Sequence, residues 1–482
     1  MKRLVLLALV AACSGGGASG DPTALDQPLA QNLAITEIAL LQSMKTPIMQ
    51  NQAPADHSNI PIVALRDAVL RVYVQPQSGY QPHAITARAR ITTTGPMGTS
   101  AQVFSATATV QETTVENDLT TSFDIPIAGV ALEPGASVTV VLNDTDGDPP
   151  DTASSFARWP NDGSSQDLGV RSGGDHLRVE IVPVEYLADG SHRLPDTSDA
   201  QIESYRERFY QLYPAAEVDI TVHDPWPINV AIDAGGGGMM TLLNDLQKLR
   251  STDQPDPDVY YYAAFVPTSS FASYCGGGCV TGLSFNGVPL SVGIGYTDPA
   301  TMDTAVHEVG HAHNLNHAPC PTPPAPGAPA GIDPAFPYKD GSIGVWGYDA
   351  IGQAMIDPAQ YKDMMGYCDP KWISDYSYNL LFTRERTDNG YFNDWVRGPG
   401  SPYAVAPVEP TGDIRISDVA LREPWIALGE PHQVSWGGGN ATAFFFPYDH
   451  LPGGALYVPA EVPSGARVIG LRPNEAAAIL RR

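Results

Sequence analysis

His307-Glu308-Val309-Gly310-His311-Ala312-His313-Asn314-Leu315-Asn316-His317 is the stretch that leaves this chain least conformational choice. Residues four apart share one face of a helix, so a helix lets His307 and His311 present imidazole to a single point. His317 lies too far round for a continuing helix to aim there. The chain must turn back, and Asn314 is where it can: after Gly, Asn best tolerates the left-handed conformation that ends a helix. Three convergent imidazoles make a zinc site, with Zn2+ the expected cofactor and the fourth position left open for water. Glu308, beside the first ligand, is placed to hold a zinc-bound water and take its proton. The ordinary alternative is a histidine-rich helix end with satisfied surface imidazoles, and the third His at this offset argues against it. His313 points to another face and is not expected to be a ligand.

The formal charge of −26 argues against nucleic acid and against anionic membrane surfaces as partners. Met1-Lys2-Arg3 is a basic start, and Leu4–Val10 is an apolar run too short to span a bilayer. Val10-Ala11-Ala12-Cys13 then reads as a lipobox, which makes Cys13 the expected lipidation site and 1–12 a lipoprotein signal peptide. The plainer reading is a secretory signal cut near Ala12. Either way the protein is expected outside the cytoplasm, as a cell-envelope lipoprotein or a secreted protein. A lipid anchor would be its sole membrane attachment.

Beyond Cys13 stand Cys275, Cys279, Cys320 and Cys368. An even number in an exported chain favours two disulfides. Three pairings are possible, and local logic prefers Cys275–Cys279, across three glycines, with Cys320–Cys368. A CxxxC zinc half-site is the rival for the first pair.

Residues 13–34 read as a flexible tether. Short β-branched runs follow at Ile60–Leu65, Val69–Val74, Ala84–Ile91, Ala106–Val110 and Val138–Leu142, punctuated by Gly, Pro and Asn/Asp. They predict an antiparallel β-sandwich over 35–148. Asn143–Asp148 resembles part of a calcium loop, but the bidentate Glu is absent and a solvated turn is preferred. After a linker at 149–175, strands and helices alternate: strand at Leu177–Val184, helix Asp199–Tyr213, strand Glu217–Val222, helix Met239–Leu249, buried strand Val259–Val266. This order predicts an α/β domain over 176–385 with a mainly parallel sheet. Thr297-Asp298-Pro299 opens the histidine helix, with Asp298 as N-cap and Pro299 at the first helical position. Met302, Ala305, Val306 and Val309 should pack on the sheet while His307 and His311 look away. Residues 318–362 form a Pro/Gly-rich excursion, and Pro370–Arg384 a closing helix. A linker at 386–410 leads to a small β-rich domain at 411–482. The chain is thus multidomain, and it is expected as a monomer.

The pattern HExxHxxNxxH differs by one letter from the HExxHxxGxxH of the metzincin zinc endopeptidases, which it resembles. Within that clan the chain looks most like bacterial StcE-like secreted metalloproteases, and more distantly like gametolysin-like enzymes. A HEVGH core followed by Trp346-Gly347-Tyr348-Asp349 carries the closer likeness. The likeness covers about 175–385 and departs from the clan at Asn314. It implies a mixed sheet with an active-site helix, and a Met-turn at Asp363–Cys368 with Met365 beneath the zinc. It implies that Tyr367 can hydrogen-bond the oxyanion or ligate zinc at rest; Met364, Met365 and Tyr367 as plain core residues is the bland reading. It also implies an extended polypeptide or glycoprotein substrate paired along an edge strand near 280–290.

The leading expectation is therefore a zinc endopeptidase that attacks peptide bonds of extracellular proteins with zinc-bound water, Glu308 as base. The competing class is a non-catalytic surface binding protein with a structural zinc. Among enzymes, the runner-up takes a downstream Glu or Asp as third ligand instead of His317.

Overall fold

A computed structural model of the chain describes residues 25–482 except 26, 96–97, 145–154, 321–330, 390–401, 410–413, 418–419, 422–423, 450–451 and 472–476. The lipobox and Cys13, most of the calcium-like turn and parts of both expected linkers lie outside the described residues. The architecture is mostly β-sheet with few helices. Two compact units divide the chain. One comprises the residues up to Ser172 with Val345–Asp357, the other Gly173–Gly344 with Pro358–Arg482.

The first unit is built on β1 (Leu33–Leu41), β2 (Lys45–Gln50), β3 (Ala68–Pro76), β4 (Ala84–Gly95), β5 (Gly98–Thr109), β6 (Phe123–Ile127) and β7 (Ser137–Asp144). One antiparallel sheet runs β2-β1-β3-β6, with Ala53–Pro54 outside β2, and another runs β7-β4-β5. Alternating residues such as Leu70, Val72 and Val74 of β3 and Ile85, Ala87 and Ala89 of β4 enter one shared core. Within the stretch read as a linker, Arg158–Trp159 and Gln166–Asp167 add to β7. The Trp346–Asp349 stretch also belongs to this unit: the Tyr348 ring packs among Ala39, Leu41 and Tyr73.

The second unit begins with β8 (His176–Tyr186), α1 (Asp199–Leu212), β9 (Glu217–Val222), α2 (Met239–Asp253), β10 (Val259–Phe265), β11 (Gly282–Ser284), β12 (Leu290–Ile294) and α3 (Pro299–Ala312). Its sheet has the order β9-β8-β10-β12-β11. Every neighbouring pair is parallel except β11–β12, which is antiparallel. β10 sits at the centre and is buried at every position, as its unbroken apolar text requires. α3 starts where Asp298 accepts the Ala300 amide, with Pro299 supplying its fixed φ.

α3 is not amphipathic in the way its spacing suggests. Thr304 to Ala312 are all buried, His307 and His311 included, while Met302 is only half-buried. The histidine face is covered by protein, so both sides of the helix lie inside.

α4 (Asp375–Asp388) starts later and ends later than its composition implies, because Lys371–Trp372 is drawn into a short strand with Lys362–Asp363. The rest of the chain forms β13 (Tyr403–Val408), β14 (Glu430–Trp436), β15 (Gly439–Pro447), β16 (Gly454–Pro459), β17 (Arg467–Ile469) and β18 (Ala477–Arg481). With Ile414–Arg415 and Ala420–Leu421 they make an eight-stranded sheet. β13 lies within the stretch read as a linker. This sheet is not a detached module: Trp425, Phe446, Tyr448 and Tyr457 share one core with Leu242 and Leu246 of α2, with Phe285 and with Leu290 of β12.

Candidate metal centre

His307 and His311 project from successive turns of α3. The helix ends as its sequence demands: Asn314 takes φ 73°, its amide reaches the His311 carbonyl, and the Leu315 amide reaches the Gly310 carbonyl. That reversal carries His317 back over the helix end. His317 Nε2 and His307 Nε2 each lie 3.1 Å from His311 Nε2. All three rings are buried.

The donor set fits a small cation. His307 Nδ1 lies 2.9 Å from the Met364 carbonyl oxygen, and His311 Nδ1 lies 2.7 Å from that of Leu315. Each Nδ1 must donate to its carbonyl, which leaves Nε2 as a lone pair. Lone pairs facing each other at 3.1 Å repel unless a positive charge sits between them. Nitrogens bound tetrahedrally to one zinc at the usual length are about 3.3 Å apart, close to the spacing here. His307, His311 and His317 would hold such a metal.

Glu308 is buried beside this point. Ser284 Oγ, on edge strand β11, lies 3.0 Å from Glu308 Oε2 and 2.8 Å from the Glu308 carbonyl oxygen. Gly282, one place before Leu283, gives the carboxylate its room: a Cβ there would stand 2.5 Å from Glu308 Cγ and 2.6 Å from Oε1. A glycine inside a strand signals such close approach, so the sequence did carry this clue.

Beneath the histidines, Asp363 organises a turn. Its buried carboxylate accepts from the Met365 amide at 2.8 Å and from the Ser374 amide at 2.9 Å. Burial nonetheless pushes its pKa above the usual carboxylate range. The turn aims the Met364 carbonyl at His307 and seats Met365 under α3. Gly310 makes that seat, since a Cβ would come within 2.6 Å of Met365 Sδ. The Ala318 amide donates to the Met365 carbonyl, and the Cys320–Cys368 disulfide closes the same two loops. Cys275 and Cys279 are bonded to each other.

Tyr367 is 42% exposed, but its hydroxyl reaches inward to 2.7 Å from His317 Nε2. Burial of the hydroxyl, then the nearby carboxylates of Asp449 and Glu308, push its pKa upward, so it stands as a neutral O–H. His313 takes no part. It stacks on Tyr260 with centroids 3.9 Å apart and meets Glu385 Oε1 at 3.2 Å.

Residues 258–372 match the family model of Peptidase M66. The matched segment carries β10, β11, α3, all three histidines, Glu308 and the Met364–Met365 turn. It supports a metalloprotease, hence a hydrolase. No curated protein matches the chain. Among solved structures, a calcium binding mutant of Bacteroides uniformis beta-glucuronidase 2 is similar at 12% identity over 51% of this chain and 26% of that one, TM-score 0.16. A Bacteroides fragilis protein described as a beta-galactosidase is similar at 14% identity over 59% and 38%, TM-score 0.14. This chain therefore spans well under half the length of either, and likenesses so slight carry no argument.

One group had no announcement in the sequence. Asp449, in the β15–β16 connection, brings its carboxylate Oδ2 to 3.4 Å from His311 Nε2. No spacing or motif links it to the histidine stretch.

Proposed function

We propose that this chain is a zinc-dependent endopeptidase of metzincin type, acting on extended polypeptides or glycoproteins outside the cell. The carrying observation is the convergence of three buried Nε2 atoms beside Glu308, with the Nδ1 atoms of His307 and His311 held by backbone carbonyls. Bound zinc supplies a Lewis acid that polarises the scissile carbonyl and acidifies water.

The chain's residues do the remainder. Glu308 accepts the proton of the attacking water and delivers it to the leaving amine. Ser284 holds the Glu308 carboxylate at the required angle. The Tyr367 O–H is in reach to donate to the developing oxyanion. An extended substrate would add along the side of β11 away from β12, where backbone hydrogen bonds serve many sequences. A lipid anchor at Cys13 would keep this activity in the cell envelope.

The test is paired measurement of zinc content and casein hydrolysis. Glu308→Gln should keep zinc and lose at least a thousandfold in rate, whereas His307→Ala should lose both. Equal hydrolysis by wild type and Glu308→Gln would sink the mechanism. A second reading, a structural zinc in a binding protein, is favoured by one observation: Asp449 faces the metal point, and structural zinc sites fill their fourth position with protein.

A further inference from the structure

The segment Pro447–Asp449 runs antiparallel to Ser284–Asn286, the last residue of β11 and the two that follow it. Phe285 and Tyr448 form an antiparallel bridge. The Asn286 amide donates to the Pro447 carbonyl at 3.1 Å, and the Asp449 amide donates to the Ser284 carbonyl at 3.2 Å. The Ser284 amide donates in turn to Asp449 Oδ1 at 3.0 Å. The other carboxylate oxygen, Oδ2, faces His311 Nε2. Its 3.4 Å separation is what an oxygen and a nitrogen take when both bind one zinc at about 2.0–2.1 Å. Extended backbone on the edge strand and a carboxylate at the metal point are the two marks of a cleaved peptide still bound.

We propose that Pro447–Asp449 is an internal plug, with Asp449 a fourth protein group of the metal site and its backbone occupying the place of a substrate at the end of β11, along Ser284–Asn286. The proposal rests on the peptidase reading above. The plug is seated from both sides. The Tyr448 ring stacks on Phe285 with centroids 4.8 Å apart, and Asn244 Nδ2 donates to the Tyr448 hydroxyl at 3.2 Å. β15 and β16 are pinned in the C-terminal sheet by β14 and β13. Pro447 stays paired with Gly454, so it is Tyr448 and Asp449 that have to leave Ser284–Asn286 for an extended peptide to replace them, and basal hydrolysis reports the fraction already released. The displacing ligand is an unstructured peptide running antiparallel to β11.

The test uses the full chain carrying Asp449→Asn or Asp449→Ala, each also combined with Glu308→Gln. Asp449→Asn keeps the shape and the acceptor for the Ser284 amide, so it stays informative if the alanine variant misfolds. Zinc affinity is measured on metal-stripped protein by chelator competition. Binding of a fluorescently labelled casein peptide is measured by anisotropy in the Glu308→Gln background. Expected are about tenfold weaker zinc binding, about tenfold tighter peptide binding, and casein hydrolysis raised by a similar factor. Unchanged zinc affinity, or slower hydrolysis by Asp449→Asn, overturns the plug. Wild-type hydrolysis with no change in either Asp449 variant overturns the plug and leaves the peptidase. Tighter peptide binding with no hydrolysis by any form overturns the peptidase and leaves the plug.

Discussion

Ser284 and Glu308 are joined across the junction of β11 and α3: the serine hydroxyl lies 3.0 Å from the carboxylate and 2.8 Å from the carbonyl of the same residue. Strand and helix thus fix this carboxylate together, and neither could do so alone. A hydrogen bond to a charged group contributes about 1.5–3 kcal/mol. Ser284→Ala should therefore lower kcat roughly tenfold, with zinc content and KM nearly unchanged, as steady-state kinetics beside metal analysis would reveal. An unchanged kcat would remove Ser284 from the account of how Glu308 is held.

Gly282 makes a steric demand on the same carboxylate. A methyl group there would press within 2.5–2.6 Å of Glu308 Cγ and Oε1. A base displaced by about an ångström costs on the order of a hundredfold. Gly282→Ala should show that loss in hydrolysis while binding a full equivalent of zinc.

His317 separates the three-histidine site from one that uses a downstream carboxylate. With Nε2 atoms 3.1 Å apart, the metal should leave when this ring does. His317→Ala is expected to lose stoichiometric zinc and to melt where the chelated wild type melts. Retention of a full equivalent would mean that a different third ligand is used.

His313 supports the fold and not the reaction. Its ring is stacked on Tyr260 and paired with buried Glu385, whose carboxyl is raised by burial and drawn back by the histidine. Breaking a buried pair from one side costs about 3–5 kcal/mol. His313→Ala should lower the denaturation midpoint accordingly and leave zinc stoichiometry at one.

The Cys320–Cys368 bond closes a loop of sequence separation 48. Constraint of the unfolded chain by such a loop is worth about 4 kcal/mol. Replacing both cysteines with serine should reduce stability by about that amount, measured by denaturant unfolding. It should also weaken zinc binding, because the bond ties the His317 loop to the turn holding Met364 and Met365.

Local chemistry made much of the centre readable. Asp298-Pro299 starts α3, the His307/His311 spacing sets two rings on one face, and Asn314 with its left-handed φ aims the third. These depend on neighbours a few residues away, which the order of residues states directly. Spacing along α3 shows which residues are apolar, and Ala305, Val306 and Val309 are indeed buried, but it does not show that protein covers the histidine face as well.

What the sequence determined by itself is the grouping of three histidines, the glutamate beside them and the alternation of strands and helices that builds a sheet under α3. Tertiary structure alone decided what surrounds them. It brought Gly282 and Ser284 to Glu308, placed the Met364 carbonyl on His307 and carried Asp449 to His311 from the β15–β16 connection. Those meetings follow from sheet pairing and from the core shared by Phe285, Tyr448 and Tyr457. Such long-range packing leaves no local periodicity in the chain; Gly282 alone, a glycine at a strand position, marked that something would come close, without saying what.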